Sequence, residues 1–262
     1  MTTIPAPQEH GGSSPERFST ASFYLSPKSI VQVLGLVICG LTIASVAGQF
    51  AKYVLGYTTL GGLIPLFDLN LEQNIPTWYS SAQLLLCAIF LWMIAWATRN
   101  DGDRAVWYWG ILAIILLGLS LDETAGLHEL IGKRLRSILR SEGVLRYPWV
   151  IPGAVFVLIF IVAYMRFFIK LPPKIRRLIG MAGTIYVWGA LGMELIEGYY
   201  ASLYSGQESM SFAILATIEE VCEMTGVLIF MYALLLYIST YIQEVKIYLN
   251  DHAPSIPPSR QG

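Results

Sequence analysis

Six apolar runs, each of 20 residues or more, constrain this chain more than any other feature: 30–54, 78–97, 107–129, 149–168, 178–199 and 211–237. A helix needs about 20 mostly apolar residues to cross the hydrocarbon core of a bilayer. Inside lipid each backbone polar group must be bonded within its own segment, so runs of this length predict helices. Composition agrees. Charged residues are 13% of the chain and hydrophobic residues 55%, whereas soluble domains carry about a quarter charged residues. Mean hydropathy is +0.57. The expected fold class is all-α: a six-helix transmembrane bundle at 29–245, in contact with the lipid bilayer. Flexible tails rich in Ser, Thr and Pro are expected at 1–28 and 246–262.

Several function classes drop out at this stage. A net charge of -1 leaves no basic face for nucleic acid. Cys39, Cys87 and Cys222 all fall in apolar runs, as small fillers rather than a disulfide or zinc framework. No internal repeat supports an inverted-repeat transporter. Orientation is set by Lys and Arg in the loops. With both termini inside, the inner segments hold eleven of the 17 basic residues and the outer segments six. A cytoplasmic placement of both termini in a cell membrane is therefore expected. The dissenting segment, Lys133 to Arg146, has apolar residues at helical spacing and reads as an amphipathic extension of the third helix along the membrane surface.

The acids in these runs are the functional signal. Asp122, Glu123 and Glu129 come late in the third run, from about 15 residues after Trp107. Glu194 and Glu197 come late in the fifth, and Glu219, Glu220 and Glu223 early in the sixth. Spans three and five run one way and span six returns. At about 1.5 Å per residue, all three sets therefore fall at one depth, in the outer half of the bilayer. As one continuous helix, the third span would put Asp122 and Glu129 on one stripe and His128 about 120° away from Asp122. A charged acid at the centre of a lone spanning helix costs about 2.5–3.5 kcal/mol on insertion scales. The central parts of the spans offer no Lys or Arg to pair with these acids. The carboxylates must be protonated, wet or bound to cations.

Three readings are open. Asp122, Glu123, His128, Glu194, Glu197, Glu219, Glu220 and Glu223 could ligate a divalent metal; an oxygen-rich set with one imidazole suits Mn, Fe, Ca or Mg. No Glu-x-x-His pair of the di-iron type occurs in the spans. The same residues could form a relay that couples protons or cations to transport of a small solute. The third reading gives the acids a structural or assembly role near the headgroups, with no chemistry of their own. Whether the chain is an enzyme stays open, and a single histidine in the spans is too few for a zinc hydrolase site.

The segment LIPLFDLNLEQNIPTWYSS, with Asp68 and Glu72, lies at the same end of the bundle. It could cap the acids, but the simpler expectation is a connecting loop with Pro76 starting the second helix. Ser80 and Ser81 could face the acid layer. Trp78–Tyr79, Trp107–Trp109 and Tyr199–Tyr200 read as interfacial belts. The motifs LSLDETAGLHE, NIPTWYSS, GALGMELIEG and IEEVCEMTG resemble a group of uncharacterised bacterial polytopic membrane proteins, cyanobacterial ones among them. That resemblance covers most of the chain and implies a multi-span architecture but no activity.

Overall fold

A computed structural model describes residues 26–99, 104–204 and 209–242. Apart from residues 26–28, the two expected tails lie outside the described residues. Among the described residues, six helical rods are long and apolar enough to cross a membrane. They are α1 (Pro27–Tyr53), α3 (Ile75–Thr98), α4 (Ala105–Ala125), α6 (Val150–Lys170), the rod Pro173–Leu203 and α9 (Met210–Tyr241). The fifth rod comprises α7 (Pro173–Val187), a π-helical turn (Trp188–Met193) and α8 (Glu194–Leu203). Two short helices lie at one end: α2 (Leu63–Phe67) and the amphipathic α5 (Leu127–Leu139). No strand occurs among the described residues, so the all-α multi-span bundle stands.

Local chemistry sets the helix starts. Ser26 caps α1 by accepting from Ser29 N at 3.3 Å, with Pro27 in the first turn. Asn74 caps α3 by accepting from Thr77 N at 3.2 Å, ahead of Pro76. Ser209 caps α9 by accepting from Phe212 N at 3.2 Å. Each side-chain oxygen satisfies an amide that the helix cannot bond internally.

α9 runs through the middle of the bundle. One core joins Leu84, Cys87, Leu91 and Ile94 of α3 to Trp109, Leu112 and Leu116 of α4 and to Val227, Met231 and Leu234 of α9. A second core sets Ile38 and Leu41 of α1 against Met224 and Leu228 of α9, with Leu69 and Tyr79 between them. Where α9 crosses α7, a Cβ on Gly226 would stand 2.8 Å from Tyr186 N and 3.0 Å from Ala182 O, so glycine alone permits this approach. α6 is peripheral. Leu158, Ile159 and Val162 face outward, the last 70% exposed, as a lipid-facing helix requires.

Two expectations change here. Trp109 and Tyr79 are not belt residues. Trp109 is 1% exposed within the main core, and Tyr79 donates its hydroxyl to Leu34 O at 2.8 Å. Trp78, Trp107 and Tyr199 remain exposed. The segment before α3 is also more than a connection. Ile64 of α2 packs beside Gly48, and Leu69 N donates to Ser45 Oγ at 3.0 Å. Gln49 Nε2 donates to Asp68 Oδ1. Asn74 Nδ2 donates to Asp68 O at 2.6 Å and to Leu71 O at 2.9 Å. Asp68 and Leu69 are thereby buried against α1.

Candidate functional site

The α4–α5 elbow is built on one glycine. Gly126 adopts φ 59° and ψ 38° and ends α4 by donating its N–H to Asp122 O at 2.8 Å. This left-handed cap is cheap for glycine and costly for other residues. The chain then restarts as α5, and Asp122 serves both helices. Its Oδ1 accepts from His128 N at 2.8 Å in the first turn of α5, and its Oδ2 lies 3.0 Å from His128 Nδ1. The expected continuous helix through Glu129 is therefore corrected, because Gly126 breaks it at Ala125. His128 is paired with Asp122 rather than 120° away from it. Glu129 does not share a stripe with Asp122; it pairs with Lys133 Nζ at 2.6 Å on the exposed side of α5.

The elbow connects to α8 through an aromatic bridge. The His128 ring lies 4.9 Å from the Trp149 ring, and Trp149 Nε1 donates to Glu194 Oε1 at 3.0 Å. Glu194 Oε2 is buried with no partner among the described residues. His128 lies outside the spans, and its imidazole pKa is raised: burial opposes its charge, but the hydrogen bond to Asp122 and the carboxylates of Asp122, Glu194 and Glu72 outweigh that.

The π-helical turn brings α8 to α9. A turn of this kind inserts one residue into the helix and re-aims the next segment. It ends directly before Glu194. Within it, a Cβ on Gly189 would stand 3.0 Å from both Glu219 O and Glu223 Cγ, so the two helices touch at the level of the acids. Glu197 and Glu219 interact with each other across this contact. Glu197 is 6% exposed, and its Oε1 has no partner among the described residues.

The remaining acids are Glu123 of α4 and Glu220 and Glu223 of α9. Glu123 interacts with Glu220 of α9, Glu220 also with Glu197, and Glu223 with Glu220, Glu123, Glu194 and Asp122. Tyr186 of α7 lies in the field of Glu223 and Glu123. Ser81 is not part of this layer; its hydroxyl donates to Ser120 O at 2.8 Å and ties α3 to α4. Two ion pairs stand at the elbow, Asp122–His128 and Glu129–Lys133. Neither includes an acid of α8 or α9. No three His, Cys, Asp or Glu among the described residues stand at ligating geometry around one point. A metal ion would have to draw the carboxylates inward.

Sequence reading missed Trp149 and underweighted Glu72. Glu72 stands over the elbow, with its Oε2 3.0 Å from where a Cβ on Gly126 would be. Partial burial and the Glu129 carboxylate raise its pKa above the usual carboxylate range.

A bundle of six apolar rods with a carboxylate-lined interior at one end is the architecture of a multi-pass membrane protein. The chain belongs to a family defined by a domain of unknown function, DUF8692, whose model matches residues 33–238. No curated protein and no solved structure matches it.

Proposed function

We propose that the protein binds a divalent cation among the carboxylates of α8 and α9, with Glu194, Glu197, Glu219 and Glu223 as the inner set. The observation that carries this reading is the pair of buried oxygens without partners, Glu197 Oε1 and Glu194 Oε2. Buried acceptors are nearly always satisfied, and a carboxylate without a donor in an apolar surround is costly. A hard cation supplies what they lack, taking carboxylate oxygens at about 2.0–2.6 Å. The acid-rich set with no Lys or Arg favours Mn, Fe, Ca or Mg. Asp122 and His128 fit this inner set less well, since each is already committed to the other. Glu123 and Glu220 serve as a surrounding shell that draws the cation in.

The test is metal analysis of detergent-purified protein beside a Glu219→Gln/Glu223→Gln variant. The expected result is a stoichiometric ion in the parent that is lost in the variant. A parent free of Mn, Fe, Ca and Mg overturns the reading.

A second reading, coupling of proton or cation movement to a small solute, is supported by the mutual interaction of the Glu197 and Glu219 carboxyls. It calls for ion-coupled uptake in proteoliposomes, abolished by Glu197→Gln. A structural or assembly role requires neither metal nor uptake. In either functional reading the acid end faces outward and both termini are cytoplasmic, in line with the distribution of basic residues.

A further inference from the structure

We propose that an anionic phospholipid of the surrounding bilayer docks at the α5–α6 corner, with one acyl chain in the apolar groove between the two helices and its phosphate among the arginines of α5. The site shares no residue with the acid layer and does not depend on a cation there.

A groove of about 580 Å³ lies between these helices, with Ile131, Leu135 and Leu139 supplied by α5 and Ile151, Val155 and Ile159 by α6. No polar side chain lines it among the described residues, and all six but Leu135 are exposed. A hollow with no polar partner does not hold ordered water, so in a membrane a hydrocarbon chain fills it. Its depth fits one chain of one leaflet. Ile151 to Ile159 spans about 12 Å at about 1.5 Å per residue, against about 15 Å for half the hydrocarbon core. Ile151 stands in the first turn of α6, so the groove runs inward from the headgroup level. Its α5 wall is anchored. Asp122 accepts from His128 N at the start of α5, and a Cβ on Gly132 would stand 3.5 Å from Trp149 Cδ1.

Charge decides which lipid. α5 and its cap residue carry Lys133, Arg134, Arg136 and Arg140 against one acid, Glu129. With Glu142 and Arg146 included, the stretch 127–146 still holds five Lys and Arg against two acids. Glu129 is bonded to Lys133. Arg134, Arg136 and Arg140 are exposed and form no ion pair among the described residues. Arg134 is three residues from Ile131, and Arg136 three from Leu139, so each is a helix-surface neighbour of a groove residue. Arginine lays its stem along apolar surface while its head stays at the water, and its planar fork matches phosphate oxygens. A basic cluster on an interfacial amphipathic helix attracts anionic headgroups. A zwitterionic lipid balances its phosphate with its own ammonium and gains less. A second copy of the chain fits worse, because a two-fold contact at this corner sets the same arginines against each other.

The experiment is native mass spectrometry of the full-length protein in detergent, titrated with phosphatidylglycerol or with phosphatidylcholine of identical acyl chains. Parent, Arg134→Gln/Arg136→Gln/Arg140→Gln and Val155→Trp are compared, with Arg136→Gln alone beside the triple variant. All four positions are exposed, and melting temperature checks that each variant is folded. The expected result is one phosphatidylglycerol held about tenfold more tightly than phosphatidylcholine by the parent. The triple variant loses that preference with phosphatidylcholine binding unchanged, and Arg136→Gln loses part of it. Val155→Trp, which fills the groove, weakens both lipids. Equal affinity for the two lipids in the parent overturns the proposal, as does a preference that survives the triple variant. Phosphatidylglycerol bound at parental affinity by Val155→Trp places the lipid outside the groove and overturns it too. A dimer without lipid, broken by Val155→Trp, makes a second copy the occupant and overturns it likewise.

Discussion

Asp122 and Glu197 are two carboxylates at the same end of one bundle, and the fold treats them oppositely. Asp122 is 26% exposed, yet both its oxygens are bonded, one to the His128 amide and one to the His128 ring. Glu197 is 6% exposed and keeps an oxygen with no partner among the described residues. The better-hydrated acid has the full set of partners and the buried one lacks it. Folding alone favours the reverse, because an unmet acceptor costs most where water is absent. The contrast separates a structural acid, which joins α4 to α5, from an acid kept for something outside the chain.

The comparison can be broken most severely at the helix contact that sets it up. Gly189→Leu forces α8 away from Glu219 O and Glu223 Cγ. Overpacking against backbone is expected to cost about 3 kcal/mol, seen as a large drop in melting temperature in detergent together with loss of any bound metal. Next comes Asp122→Ala, which removes the amide partner of α5 and the ring partner of His128 at once. A loss of about 2 kcal/mol is expected, with metal content preserved. If Asp122→Ala strips the metal while leaving stability intact, the assignment of Asp122 as structural is wrong.

Acidity provides a gentler probe. The pKa of His128 is raised in the folded protein, so the charged pair with Asp122 contributes fully below the ordinary imidazole value of about 6.5 and is lost as pH rises through the higher folded value. The melting temperature of the parent is expected to converge on that of His128→Gln as pH climbs past the raised folded value, and to exceed it in mild acid. A gap that widens toward alkaline pH contradicts this sign. The smallest effect is expected at the other pole of the comparison. Glu197→Gln keeps the side chain's shape while removing its charge, so stability should stay within about 0.5 kcal/mol of the parent or rise. A large destabilisation would make Glu197 structural after all.

Hydropathy alone made the six spans legible, because their length and composition are read directly from the apolar runs. The details that decide the site were not. LDETAGLHE keeps helical periodicity straight through Gly126, so nothing in the pattern separates a continuous helix from a capped and restarted one. The signal available was Asp122 four residues before a glycine, where a left-handed C-cap forms. WGALGM is equally apolar under α or π hydrogen bonding, which hides the turn that aims Glu194. Trp149 is 45 residues from Glu194 in sequence, and a tryptophan at the start of a span reads as a belt residue. The inward fold of the 54–74 segment did leave a trace. Ser45 and Gln49, spaced i, i+4 inside an otherwise apolar run, are the two groups that hold Leu69 and Asp68.

The central claim is that Glu197 Oε1 has no partner among the described residues because a cation completes it, and a ligand-induced thermal shift tests this most directly. Metal-stripped parent and Glu197→Gln are melted in detergent with and without Mn2+ at about a hundredfold excess over its dissociation constant. Binding at that excess stabilises the folded state by about 2.7 kcal/mol. The expected result is a clear rise in melting temperature for the parent and none for Glu197→Gln. An equal rise in both proteins, or none in the parent, contradicts the claim.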